Sequence, residues 1–282
     1  MAATAFRPRG VSLDEIVDSY WIFLSRNRYQ AHLAGYKKRW NSDPYAATAE
    51  AVVFSILWAA KARPDVFEDP SSGGPDFCCH PNQGQKFLVE VTSLQARAAA
   101  RRSKLPEKLT GSGGGAFGLI TPALSAAIGK KAPQLSAYPY PRILAITLEY
   151  DFAGLLINRL AAEHLFVSDP MVRHQLGALG RGELVTDLRR SAFLRPNTAG
   201  KGIVSYRRSI SAVLLVAISG AQSDVVGILH PDPAEPFNPA LFPHLPYLSL
   251  KNWPITDGMI EIGWLGGDED RELATFYHKR IS

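Results

Sequence analysis

Gly74-Pro75-Asp76-Phe77 and, a short connection later, Phe87-Leu88-Val89-Glu90-Val91-Thr92 are the two stretches on which the reading of this chain turns. Gly73, Gly74 and Pro75 are turn residues, so Asp76 stands at the mouth of a short extended stretch, Pro75 to His80. Phe87 to Leu94 is a longer one. Because side chains alternate along a strand, Phe87, Val89 and Val91 point to one side and Leu88, Glu90 and Thr92 to the other. If the two stretches pair as a hairpin, Asp76 and Glu90 approach each other. A carboxylate in the middle of so apolar a strand must be paired, protonated or bound to a cation, since burying a lone charge is prohibitive.

A third acid makes the same demand. Tyr45 to Ala62 predicts a buried helix, and within it only Thr48, Glu50 and Ser55 break the apolar run up to Ala60. Glu50 shares a helical face with Ala46, Ala47, Val53, Phe54 and Leu57, which directs it inward. Three inward carboxylates are compatible with a hard divalent ion, Mg²⁺ or Mn²⁺, for which oxygen ligands are suited. Each acid alone has a plainer account: Asp76 as a turn residue, Glu90 as an edge-strand carboxylate facing water, Glu50 as the buried partner of an arginine.

Taken together, Gly74-Pro75-Asp76-Phe77 and Phe87-Leu88-Val89-Glu90-Val91-Thr92, set in an order of helix, three strands, helix and strand, resemble the PD-(D/E)XK, or restriction-endonuclease-like, nuclease superfamily. The likeness spans Tyr45 to Glu149. It implies an α/β fold with a restriction-endonuclease-like core, a mixed central sheet flanked by helices. It also implies that Glu50, Asp76 and Glu90 bind metal beside a scissile phosphate. The resemblance departs at one position: the family's lysine, two residues after the strand acid, is here Thr92. A threonine can hydrogen-bond a water but brings no positive charge.

A substitute for that lysine is available downstream. Phe117 to Leu135 predicts a helix in which Ile120, Leu124, Ala127, Ile128, Lys131 and Leu135 recur at spacings of three and four. Lys131 therefore lies on the core-facing stripe, with Gln134 beside it; otherwise it snorkels over the core. The implied activity is Mg²⁺- or Mn²⁺-dependent hydrolysis of DNA phosphodiester bonds, of restriction, defence or repair type, with Thr92, Lys131 and Gln134 assisting. The alternative is a nuclease fold that has lost turnover and serves as a nucleic-acid-binding or interaction module. Arg97, Arg101, Lys104 and Lys108, spaced as on a helix, are expected to hold phosphates. Cutting a duplex at both strands is compatible with a homodimer.

The rest of the 282 residues fits one domain with a C-terminal elaboration. After the first helix, Leu13 to Arg26, and the nuclease-like stretch, Arg142 to Glu149 predicts a buried strand and Phe152 to Leu165 a helix. Asp169 to Gly202 is poorly patterned. Residues 203–282 are read as a strand pair, Ile210 to Ser219 with Asp224 to His230, followed by a proline-dense covering segment, Pro231 to Tyr247. The composition, 46% hydrophobic and 20% charged, is that of a folded chain. The longest apolar run, Ala212 to Ile218, is far short of the roughly 20 residues needed to cross a membrane. Cytoplasmic residence without membrane contact is expected. Cys78 and Cys79 are adjacent and read as reduced; with no second Cys or His pair at ligand spacing, zinc is not expected. Neither Gly113 to Gly115 nor Gly200-Lys201-Gly202 has the form of a phosphate-binding P-loop.

Overall fold

The computed structural model describes residues 10–26, 29–69, 73–95, 117–149, 153–168, 170–173, 183–186, 188–198, 202–255, 259–265, 273–278 and 280–281. Three helices precede the first strand, one more than the sequence reading places there. Helix α1 (Leu13–Leu24) begins at a capping box in which the Ser12 hydroxyl accepts from the Glu15 amide and the Glu15 carboxylate accepts from the Ser12 amide. Helix α2 (Gln30–Ser42) is unanticipated because its polar sequence shows no apolar stripe; only His32, Leu33 and Tyr36 are buried. Helix α3 (Pro44–Ala59) starts at Asp43, whose carboxylate accepts from the Ala46 amide at 3.1 Å. It stops short of Ala62, since Lys61 and Arg63 adopt positive φ values of 58° and 51° that no helix continues.

Strands β1 (Pro64–Val66), β2 (Phe77–Cys79) and β3 (Phe87–Leu94) form an antiparallel meander. Residues 67–69 connect β1 to the turn before β2. Helix α4 (Phe117–Leu135) crosses to β4 (Arg142–Glu149), which pairs parallel with β3. The single helix expected after it is two, α5 (Ala153–Leu156) and α6 (Arg159–Val167), because Asn158 is extended and its side chain caps α6 by accepting from the Ala161 amide. The unpatterned region holds a small ribbon, β5 (Pro170–Arg173) with β6 (Glu183–Thr186), and β7 (Leu194–Pro196), which pairs with β8 (Ile203–Ser205) just past it.

The C-terminal strands are not an elaboration. Strand β9 (Ala212–Ser219) pairs parallel with β4 along seven residues, from Ile143↔Ala212 to Glu149↔Ile218, and turns through Gly220 into β10 (Gln222–Leu229). One edge of β10 is shared by β11 (Tyr247–Leu250), which continues to β12 (Ile262–Trp264), and by β13 (Ala274–Tyr277). The resulting mixed sheet has the order β1-β2-β3-β4-β9-β10-β11-β12, with β13 on β10. At Gly227 the sheet admits no side chain, since a Cβ would stand 2.3 Å from the Tyr247 ring.

Both faces of the sheet are covered, as near-continuous apolar strands require. Ile143, Ala145, Leu214 and Val216 pack against α1, α2 and α3, while Leu144, Ile146, Val213 and Leu215 pack against α4, α5 and α6. The proline tract is irregular apart from a short 3₁₀ turn, Pro239–Leu241, and it covers the first face by setting Phe237 and Phe242 edge-on to Phe87, at 5.2 and 5.7 Å between ring centroids. Cys78 and Cys79 are buried free thiols. Among the described residues no helix is long and apolar enough to cross a membrane.

Placing β9 in the middle of the sheet has a measurable consequence. A chain truncated after Gly202 loses the partner of β4 and exposes both apolar faces, so its circular dichroism is expected to show no cooperative thermal transition. A cooperative transition like that of the full chain would contradict this topology.

Candidate active site

Asp76 and Glu90 meet because of the β2–β3 register. Phe77 pairs with Val89, so the next positions outward set Asp76 beside Glu90 and Pro75 opposite Val91. Proline has no amide hydrogen with which to continue the ladder. The ladder ends there, and the Val91 amide donates to Asp76 Oδ2 at 2.7 Å, while the Asp76 main-chain carbonyl accepts from the Phe67 amide at 2.9 Å. The turn before it needs glycine: Gly73 and Gly74 have φ of 75° and 137°, and a Cβ on Gly74 would stand 3.0 Å from the Tyr138 hydroxyl. Asp76 is thereby fixed at both ends.

Glu90 lies on the opposite sheet face from Phe87 and Val89, as the alternation requires, and there it meets α4. Lys131 reaches down from that helix and donates a hydrogen bond from its Nζ to Glu90 Oε1. Ile120, Leu124, Ile128 and Leu135, the other residues of the stripe, are buried in the same core, which holds Lys131 facing the sheet.

Glu50 is differently disposed. Its side chain is 1% exposed, and three donors surround it: Tyr20 Oη at 2.8 Å, His32 Nε2 at 2.9 Å and the Arg39 guanidinium. Arg39 also reaches Glu68 at 3.1 Å and lies 3.9 Å from Asp76 Oδ1. His32 Nδ1 is 3.6 Å from Glu68. Arg39 and His32 come from α2, the helix absent from the sequence reading, and Glu68 from the connection after β1. The one signal that pointed to them was the burial of Glu50, which demanded a partner without naming it.

Arg39, Glu50, Glu68, Asp76, Glu90 and Lys131 line one cleft of about 630 Å³ between α2 and α3 on one side and α4 on the other. The six residues inferred from sequence to act in metal binding or catalysis, Glu50, Asp76, Glu90, Thr92, Lys131 and Gln134, are on its wall. Asp43 and Glu68 join them. Among the described residues the wall carries five carboxylates, Asp43, Glu50, Glu68, Asp76 and Glu90, against two cations, Arg39 and Lys131. The phosphate-holding residues expected after the motif, Arg97, Arg101, Lys104 and Lys108, lie outside the described residues.

The imbalance shows in the acids themselves. Burial pushes the Asp76 carboxyl well above the usual carboxylate range, and the charges of Glu90 and Glu50 push it further, against the Val91 amide, which favours the charged form. Burial also raises Glu90, with Lys131 opposing the rise. For Arg39, burial disfavours the charge, but Glu50, Glu68 and Asp76 outweigh it and hold its proton more tightly than usual.

The expected three-carboxylate metal set is not what the geometry assembles. Among the described residues no three His, Cys, Asp or Glu side chains are grouped so that they could hold a metal ion. Glu50 is withdrawn from such a set by its own hydrogen bonds. Asp76 and Glu90 do fit a hard cation: both are oxygen donors, both face the cleft, and Asp76 is held in a field of like charge that a cation would relieve. Comparison with protein-family models, with curated proteins and with solved structures finds no match to this chain.

The raised Asp76 carboxyl fixes a sign for stability. A buried acid whose folded-state pKa lies above its unfolded value of 3.8 costs nothing at lower pH, and its penalty grows as pH rises from there through the folded pKa. Asp76→Asn keeps an acceptor for the Val91 amide and removes the charge. It is therefore expected to raise the melting temperature at pH 7, with the gain vanishing at pH values below 3.8. A variant destabilised at pH 7 would contradict this account of the site.

Proposed function

We propose that the chain is a metal-dependent phosphodiesterase acting on DNA, built on a restriction-endonuclease-like core. One observation carries the reading: an acid after a Gly-Gly-Pro turn, an acid on the adjoining strand and a lysine from the following helix converge in a single cleft. That is the constellation of the nuclease superfamily, with the lysine delivered from α4 where the strand has Thr92. The setting, restriction, defence or repair, follows from the same resemblance.

In this proposal Asp76 and Glu90 would hold Mg²⁺ or Mn²⁺. When bound, such an ion polarises a phosphoryl oxygen and makes water more acidic. Hydrolysis forms a bond from water oxygen to phosphorus and breaks the bond to the leaving alkoxide, which takes up a proton. Lys131, beside Glu90, offsets the negative charge that grows on the phosphoryl oxygens. Thr92, one strand residue pair beyond Glu90 on the same face, is placed to orient the water through its hydroxyl. Glu50 is a positioning residue: it anchors Arg39, which spans to Glu68 and Asp76 and keeps the far wall from repelling the two acids.

The engagement of Glu50 by Arg39, together with Thr92 at the lysine position, favours the second reading, a nucleic-acid-binding module without turnover. Cleavage of supercoiled plasmid separates the two. With Mg²⁺ present the wild-type chain is expected to nick or linearise it, and Asp76→Asn or Glu90→Gln to lower the rate by roughly 10²–10⁴. Lys131→Met is expected to lose about 10²–10³. Lys130, the neighbouring residue, is exposed and does not line the cleft, so Lys130→Met is expected to leave the rate unchanged. DNA binding with no cleavage in either metal would contradict the proposal and support the second reading.

A further inference from the structure

A second pocket, of about 360 Å³, lies on another face of α4, where Thr121, Pro122, Ser125 and Ala126 form one side of it. Thr121 is about 15 Å along the helix axis from Lys131, at 1.5 Å per residue. The pocket gathers four arginines, Arg189, Arg190, Arg195 and Arg207, and among the described residues no carboxylate lines it.

Two of the four are fixed in place. Arg195 donates to the carbonyls of Leu188 at 3.2 Å and Leu194 at 2.6 Å, and Arg207 to those of Ala192 at 3.3 Å and Ser125 at 3.5 Å. Both guanidiniums also stack on the ring of Tyr206, at 4.0 and 4.8 Å from its centroid. Carbonyls and an aromatic face orient a guanidinium without neutralising it. Arg190, Arg195 and Arg207 make no ion pair among the described residues. Burial lowers the Arg207 pKa and the Arg195 charge lowers it further, as expected when like charges are held together.

An independent observation comes from the pocket's far wall. Ser168 is 3% exposed, lines the pocket, and its Oγ has no hydrogen-bond partner among the described residues. A buried hydroxyl left unpaired costs free energy that a bound acceptor recovers. Several guanidiniums and a hydroxyl donor around one volume match an anion with several acceptor oxygens and more than one negative charge. Guanidinium forks meet phosphate oxygens two at a time. The volume lies near the lower end of the range for small-molecule pockets, about 300–1,000 Å³.

We infer that this pocket binds the phosphate group of a small molecule of mononucleotide size, as a site separate from the acidic cleft. The inference does not rest on the nuclease reading. Its ligand can be a nucleoside monophosphate or phosphate itself, and the titration distinguishes them.

Calorimetric titration of the full chain in the presence of a chelator, with inorganic phosphate, with 5′-AMP and with an unphosphorylated single-stranded DNA oligonucleotide, tests it. AMP is expected to bind at one site and to be competed by phosphate; phosphate binding as tightly as AMP assigns the site to the free anion. Arg190 is exposed, so Arg190→Glu leaves the fold intact, which its melting curve checks. It is expected to weaken binding by about tenfold or more, the loss of a charge-assisted hydrogen bond. Arg207→Lys keeps the charge but loses the fork, and is expected to weaken binding less. Asp76→Asn leaves binding unchanged. The inference is overturned if neither AMP nor phosphate binds at millimolar concentration, if only the oligonucleotide binds, or if Arg190→Glu and Arg207→Lys bind as wild type does.

Discussion

Asp76 and Glu90 stand side by side because the β2–β3 register sets them opposite one another just past the last ladder pair, where a side chain, that of Asp76, takes the Val91 amide in place of a strand carbonyl. That local substitution puts two negative charges in a partly buried cleft, and neighbouring groups are arranged around the cost. Lys131 answers Glu90, Arg39 answers Glu50 and Glu68, and Asp76 keeps a carboxyl that burial and its neighbours make reluctant to ionise. The charge left over on the wall is negative, which is the physical case for a cation there.

The division of labour among the acids follows from what each can reach. Glu50, deep on α3, is saturated by Tyr20, His32 and Arg39, so its work is to hold the arginine. Asp76 and Glu90, on the sheet, each have one hydrogen-bond donor among the described residues and turn toward the open volume. On the other side of α4 the sign is reversed, with Arg195 and Arg207 held by carbonyls rather than acids. One helix thus separates an acidic cleft from a basic pocket.

The parts of this architecture carried by local pattern were legible in the chain. The bounds of β3, α4 and β4 agree with the sequence reading because each has an unbroken period, and Lys131 was placed by the spacing of Ile120, Leu124 and Ile128. Helix α2 was not legible, since Lys37, Lys38 and Arg39 break any apolar stripe and its register is set by contacts with α1 and α3. Arg39 and His32 were hidden with it. Nor can a single strand announce its neighbours: Ile210 to Ser219 reads as a strand from its own residues, but its seat beside β4 is set by pairing with a strand distant in the chain. Asn158 is a capping residue that marks a break, but the apolar residues on either side of it also fit one longer helix.

Binding of Mn²⁺, followed by electron paramagnetic resonance of the free ion, tests the central claim directly and without reference to turnover. Wild-type chain is expected to remove Mn²⁺ from solution at a saturable site, Mg²⁺ to compete for it, and Asp76→Asn and Glu90→Gln each to abolish it. Mn²⁺ left free by the wild-type chain, or bound equally by both variants, would contradict the claim that these two acids are held together for a cation.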